Sequence, residues 1–224
     1  MAITPTISVI LLVGRRRKRS ARALNSVLQQ EGAEMAEVLL VDTAPEEPAL
    51  IGSDHACVQL EQVYERGTYG AMRADAVRRA RAPIVVFIED HCVACPGWFR
   101  AIEAAFEDPW AAVGPRMLNA NAGIGVSDAI HFINYGLWTD GSGRGPVGLI
   151  AGHNSAYRRE VLLGLGSELD SLLLSDTLLQ WRLAKHGHQF LYEPAACIGH
   201  LYPTSLAIAL RDVFFFHRCF GALR

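Results

Sequence analysis

Glu89, Asp90 and His91 stand in a row, with Cys92 after them, directly behind the apolar run Ile84 to Ile88. Two carboxylates beside an imidazole can hold a hard divalent cation or orient a sugar hydroxyl. A polar turn after a strand is the plainer alternative for these residues. Asp42 repeats the arrangement, closing a second apolar run, Glu37 to Val41. Alone, Asp42 also suits a turn or a helix cap. Arg73 lies between the two acidic ends in sequence and could reach a phosphate. A solvated helix face is the other reading for it, as for Arg78, Arg79 and Arg81.

These residues need a scaffold that brings strand ends together. Ile7–Val13, Glu37–Asp42 and Ile84–Ile88 are unbroken runs rich in Val, Ile, Leu and Phe, which suits strands covered on both faces. Ala56 to Leu60 reads as a short third strand. Helical periodicity follows Ser20, a candidate cap, through Ala23, Leu24, Val27 and Leu28. A helix over Gly67–Ala82 stops at Pro83. Another starts at Pro96-Gly97-Trp98 and runs to Phe106. This alternation predicts an α/β fold: a mostly parallel central sheet, flanked by helices, with right-handed crossovers. In such a sheet the acidic ends line one edge, where ligands bind.

The second half is less regular. Ala112 to Arg116 reads as a strand, and Asn119 to Gly148 as a Gly- and Asn-rich segment in which 141–146 should be mobile. Ile150 to Tyr157 is a strand or turn. Arg159–Leu163 and Asp176–His186 are helical, and Phe190–Tyr192 is a short strand. The tail from Ser205 to Leu223 is helical and aromatic. No linker cuts the chain, so 1–224 reads as a single domain with sub-regions 1–111, 112–203 and 204–224.

The chain has 224 residues, half of them hydrophobic, enough for a sizeable core. A formal net charge of −2 gives no nucleic-acid signal. Five cysteines without regular spacing argue against a disulfide framework and suit a reducing, cytoplasmic setting. Cys92-x-x-Cys95 has no second pair, so buried thiols are the simpler reading. The apolar run at Ile7 precedes the basic cluster, unlike a secretory signal. No stretch is apolar over the ~18 residues that a spanning helix needs. The Arg15–Arg19 run reads as a solvated loop, or as a draw for a diphosphate or anionic lipid. The aromatic tail should pack on the domain, form a dimer contact, or lie on a membrane surface, peripheral at its inner face.

In order and spacing these segments resemble the family 2 glycosyltransferases. Val38–Asp42 resembles that family's second strand. Met72-Arg73-Ala74-Asp75-Ala76-Val77 is similar to its Ala-Arg-Asn helix, with Ala74 in the asparagine position. Phe87–His91 falls on its Asp-x-Asp motif, with Glu89 and His91 in the outer positions. Pro96-Gly97-Trp98, Gly152-His153-Asn154 through Arg159, Ser175-Asp176-Thr177 through Leu183, and Glu193 through His200 follow in the family's order.

The resemblance implies the GT-A fold and transfer of a sugar from a nucleoside-diphosphate donor to a hydroxyl acceptor, a saccharide or a lipid-linked one, with inversion. It implies Asp176 as the catalytic base, whose alternative is an acid favouring the helix dipole. Asp42, Arg73, Glu89 and Asp90 would bind nucleotide. Glu89, His91 and His200 would hold Mn²⁺ or Mg²⁺, with Mn²⁺ or a softer ion preferred because imidazole suits Mg²⁺ poorly. For His200 the alternative is a strand cap. Ser175 and Leu178 replace acids of the family pattern. A degenerate protein that binds sugar nucleotides without turnover is therefore a second expectation.

Overall fold

The computed structural model describes residues 4–64, 67–139 and 143–223. The first half contains β1 (Ile7–Val13), α1 (Arg17–Leu28), β2 (Ala36–Asp42), β3 (Val58–Gln62), α2 (Tyr69–Arg79), β4 (Ile84–Glu89), β5 (Cys92–Ala94) and α3 (Trp98–Ala105). The second contains β6 (Ala112–Asn119), α4 (Gly125–Tyr135), β7 (Gly145–Val147), β8 (Ala156–Arg158), α5 (Arg159–Leu163), α6 (Leu169–Leu172), α7 (Asp176–Lys185), β9 (Phe190–His200) and α8 (Leu206–Leu223).

Among the described residues nine strands form one sheet in the order β3-β2-β1-β4-β8-β6-β9-β5, with β7 paired to β9. The longest pairings, β1 with β2 and β4, β2 with β3, and β6 with β9, are parallel. The pairings made by β5, β7 and β8 are short and antiparallel. Ile7, Val9, Leu11, Val86 and Ile88 pack under Leu24, Val27, Trp98 and Ile102 on one face. Ile10, Val85 and Phe87 pack under Met72, Val77, Leu162 and Leu183 on the other. Two covered faces are what the unbroken apolar runs require.

Several sequence expectations change. Helix α1 starts at Arg17, so Ser20 lies inside it; its hydroxyl bonds Arg16 O and Asp90 instead of capping. The Gly- and Asn-rich segment Asn119–Gly148, to which the sequence assigns no element, holds α4 and β7. Of the stretch expected to be mobile, residues 141 and 142 lie outside the described residues, and Gly145–Val147 is a paired strand. The strand expected at Phe190–Tyr192 runs on to His200. Helix α8 packs through Ala209, but Leu206, Ile208, Leu210, Phe214 and Phe215 remain exposed. No helix among the described residues is long and apolar enough to cross a membrane.

At the opposite sheet edge from the acidic ends, Glu37 is a buried anchor. Ser8 Oγ donates to it at 2.5 Å, Gln59 Nε2 at 2.9 Å, and Arg81 through its backbone N–H at 2.6 Å and Nε at 2.7 Å. Burial alone would raise its pKa, but the bonds from Ser8 and Arg81 outweigh burial and lower it. A carboxylate with a lowered folded pKa stabilises above its unfolded pKa and loses that contribution as pH falls through the folded one. Glu37→Gln is expected to cost about 1–2 kcal/mol at neutral pH, since one amide oxygen replaces two carboxylate oxygens as acceptor for Ser8, Gln59 and the half-exposed Arg81. Urea melts should show this cost shrinking in acid; a gap independent of pH would refute the assignment.

Candidate functional site

Strand order reverses at β1: β2 lies on one side and β4 on the other. A crevice forms beyond the carboxyl ends at such a point. Register places Val13 beside Asp42 and Leu12 beside Glu89, so the two acidic ends flank the end of β1. The basic run that follows β1 is drawn inward between them. Arg17 forms a two-point ion pair with Asp42 (2.9 and 2.8 Å) and also donates to Ala44 O at 2.7 Å. Arg19 donates to both carboxylate oxygens of Asp90 at 2.7 and 2.8 Å. The expectation of a solvated basic loop therefore fails for Arg17 and Arg19, while Arg16 and Lys18 remain exposed. Beside Asp42 lies a cavity of about 230 Å³ lined by Thr43, Pro45, Glu46, Val63 and Tyr64.

Glu89 is held from the second half of the chain. Its backbone N–H donates to Asn154 Oδ1 at 3.1 Å, and Asn154 Nδ2 donates back to its carboxylate at 2.9 Å. Asn154 is itself buried, in the short 3-10 turn Gly152–Asn154. Nothing local in the sequence assigns Asn154 a role, because its partner Glu89 lies 65 residues away.

His91 and His200 meet over Glu89. Their Nε2 atoms are 3.0 Å apart, and Glu89 Oε2 lies 3.7 Å from the first and 3.6 Å from the second. The thiol of Cys92 joins them in a group whose donor atoms all lie within 4.8 Å of one another. Bonds of about 2.0–2.2 Å to one cation place neighbouring donors about 3–3.6 Å apart, so the triangle fits a single metal ion. Two imidazoles and a thiol favour Mn²⁺ or a softer ion over Mg²⁺. His200 also stacks on Tyr202 with ring centroids 4.2 Å apart, and Tyr135 of α4 lies 5.3 Å from it. Helix α4 thus closes one side of the site.

The electrostatics are tightly coupled. Burial would raise Glu89, yet the charge of His91 and the nearby His200 imidazole hold it well below the usual carboxylate range. Burial would likewise raise Asp90, which bonds from His91 and Arg19 lower. His91 is pulled down by burial and, on balance, raised by Glu89 and Asp90. His200 is lowered, chiefly by burial, with the charge of His91 adding to it against Glu89.

A second cluster adjoins this one. Asp176, the first residue of α7, has Oδ1 2.8 Å from His153 Nε2. Arg73 Nη1 lies 2.6 Å from the same nitrogen and donates to Leu173 O at 3.2 Å. Nε2 serves Asp176 in one tautomer and accepts from Arg73 in the other. Arg73 is therefore not on a solvated face, whereas Arg78 and Arg79 are exposed and ion-paired with Asp170 and Glu61. Burial lowers the Arg73 pKa against the raising charges of Asp176 and Glu89. Of the site residues expected from sequence, Glu89, His91, His200, Arg73 and Asp176 converge. Asp90 adjoins them through His91, and Asp42 stands across β1.

Gly152 makes the Asp176 position possible. Its φ is +27°, and a Cβ there would come within 2.4 Å of Asp176 Oδ2. Gly152→Ala is expected to displace the Asp176 carboxylate and cost about 1–3 kcal/mol. Thermal melts and a crystal structure of the variant check this; an unmoved Asp176 with unchanged stability would contradict it.

Residues 53–214, more than half of the chain, match the family model described as "Glycosyltransferase like family 2". No curated protein matches the chain. Among solved structures, GalNAc-T7 with UDP, GalNAc and Mn²⁺ is similar, with a TM-score of 0.67 and 14% identity over 88% of this chain and 43% of that one. The mannosyltransferase PcManGT from Pyrobaculum calidifontis, in complex with GDP-Man and Mn²⁺, aligns with a TM-score of 0.65 and 18% identity, over 92% of this chain and 60% of that one. The chain spans less than two thirds of the length of either.

Proposed function

The chain belongs to glycosyltransferase-like family 2 and has the GT-A fold, and from that premise we propose that it moves a sugar from a nucleoside-diphosphate donor to a hydroxyl acceptor, with inversion. One observation carries the reading. The Glu89–His91–His200 cluster and the Asp176–His153–Arg73 cluster share one crevice, with Arg73 in the field of both Asp176 and Glu89.

Asp176 is the base in this proposal. An acceptor hydroxyl must lose its proton as it attacks the anomeric carbon, and a carboxylate within hydrogen-bond reach takes it. His153 fixes one Asp176 oxygen, Gly152 backs the other, and Arg73 adds its positive charge nearby. Glu89, His91 and His200 would hold a divalent cation, with Cys92 in reach. When bound, such a cation neutralises charge developing on the leaving diphosphate. Asn154 orients Glu89 for that role. The cavity beside Asp42 would take the base, with Tyr64 exposed at its rim. The acceptor, a saccharide or lipid-linked hydroxyl, would approach along α4.

The similar structures hold UDP and GDP-Man, so those nucleotides and their sugars make the first panel. A thermal-shift screen with and without Mn²⁺ is expected to show one nucleotide class raising the melting temperature, and more strongly with the ion. A flat response across the panel would sink the reading.

A second reading is favoured by a specific observation. Arg17 and Arg19 already occupy the carboxylates of Asp42 and Asp90, and neither outer position of the metal motif is an aspartate. A protein that binds sugar nucleotides without turnover would show the same thermal shift but no donor hydrolysis or transfer.

A further inference from the structure

Cys92 and Cys95 look like one motif in sequence, but the strand separates them. Successive strand residues point to opposite faces, so an odd spacing sends these two side chains apart. Cys92 turns to the Glu89–His91–His200 group. Cys95, the residue directly after β5, turns to a different partner: its Sγ lies 2.9 Å from Cys197 Sγ on β9.

The backbone sets this meeting. Strands β5 and β9 are antiparallel, pairing Cys92 with His200, Val93 with Gly199 and Ala94 with Ile198. The same register carries Cys95 onto Cys197, and Cys95 N–H donates to Cys197 O at 3.0 Å. Directly opposed residues of an antiparallel pair have Cα atoms about 4.5–5.5 Å apart, within the range a disulfide spans. Cys197 is buried and Cys95 is half-buried, so an outside reagent has access to Cys95 first.

We propose that Cys95 and Cys197 form a reversible disulfide that locks β5 to β9. With a low-molecular-weight disulfide as oxidant, the Cys95 thiolate attacks one of its sulfurs and releases one thiolate. Cys197, deprotonated, then attacks the Cys95 sulfur of the mixed disulfide and releases the second. The protein loses two thiol hydrogens and the oxidant gains two, becoming two thiols. The bond lies three residues from Cys92 on one strand and three from His200 on the other, so it fixes the spacing of the strands that carry the metal-ligand group. It rests on the facing thiols alone and stands whether or not the protein transfers sugar.

The test uses the full chain. Reduced protein is equilibrated in oxidised glutathione under native conditions, acid-quenched, denatured, alkylated and weighed. The sequence has five cysteines, so reduced protein takes five alkyl groups. The expected product takes three and yields a Cys95–Cys197 cross-linked peptide, and dithiothreitol restores all five. Cys95→Ser and Cys197→Ser, each confirmed folded by a cooperative melt, should take four after the same treatment or carry one glutathione. Five alkyl groups on oxidised wild type, a stable glutathione adduct on Cys95, or a cross-link mapping to other cysteines would each overturn the proposal.

Discussion

Asp176→Asn is expected to lower kcat for sugar transfer by about 10²–10⁴-fold, the usual contribution of a positioned base. Asparagine keeps the shape that fits against Gly152, so the fold should be retained. It cannot take a proton, and it leaves Arg73 and His153 without their anionic neighbour. Nucleotide affinity should fall much less than kcat: among the expected donor contacts Arg73 neighbours Asp176, whereas Glu89 and Asp42 keep their own partners. The measurement is a single-turnover assay on the donor found by thermal shift, with nucleotide Kd measured alongside. Wild-type rates in Asp176→Asn would remove Asp176 as base and leave its helix-terminal charge as its role.

Glu89→Gln should cost at least about 100-fold in Mn²⁺ affinity, more than the 10–100-fold expected of Asn154→Ala, which removes only an outer partner. The order of the two effects is the informative part. If Asn154→Ala is the worse, Glu89 is not a ligand and the cation sits elsewhere. Isothermal titration with nucleotide present reads both. An independent readout exists in the metal-free protein. Glu89 is a leading cause of the raised His91 pKa, opposing burial. Without it, the His91 pKa should fall, as NMR titration of the ring would show. An unchanged His91 would mean that Asp90 alone sustains it.

The scaffold was legible because the apolar runs of β1, β2 and β4 are covered on both faces and so carry no alternation to misread. The acids that close them were legible for the same reason: charge ends such a run abruptly. What the sequence hid is pairing across distance. Arg17 and Arg19 read as a surface run because nothing local says that each faces a different acidic strand end. Asn154 and His153 lie in a three-residue turn whose partners are Glu89 and Asp176. Cys92-x-x-Cys95 reads as two buried thiols, and strand alternation sends them to two separate sites that the spacing alone does not reveal. Helix α4 was missed because its exposed apolar residues, Phe132 and Ile133 among them, give no clean buried stripe.

The position of β5 has a consequence for how the molecule is made. This strand belongs to the first half of the chain, yet its antiparallel partner is β9. His91 and His200 are 109 residues apart, and Arg73 and His153 are 80 apart. Contacts of such separation form only after a long loop has closed, which slows folding and leaves them late. During synthesis the strands β1 to β4 can pair early, but neither cluster of the crevice exists until α7 and β9 have emerged and docked. A fragment cut near residue 112 would carry β5 as an unpaired edge, because its antiparallel partner lies in the other half.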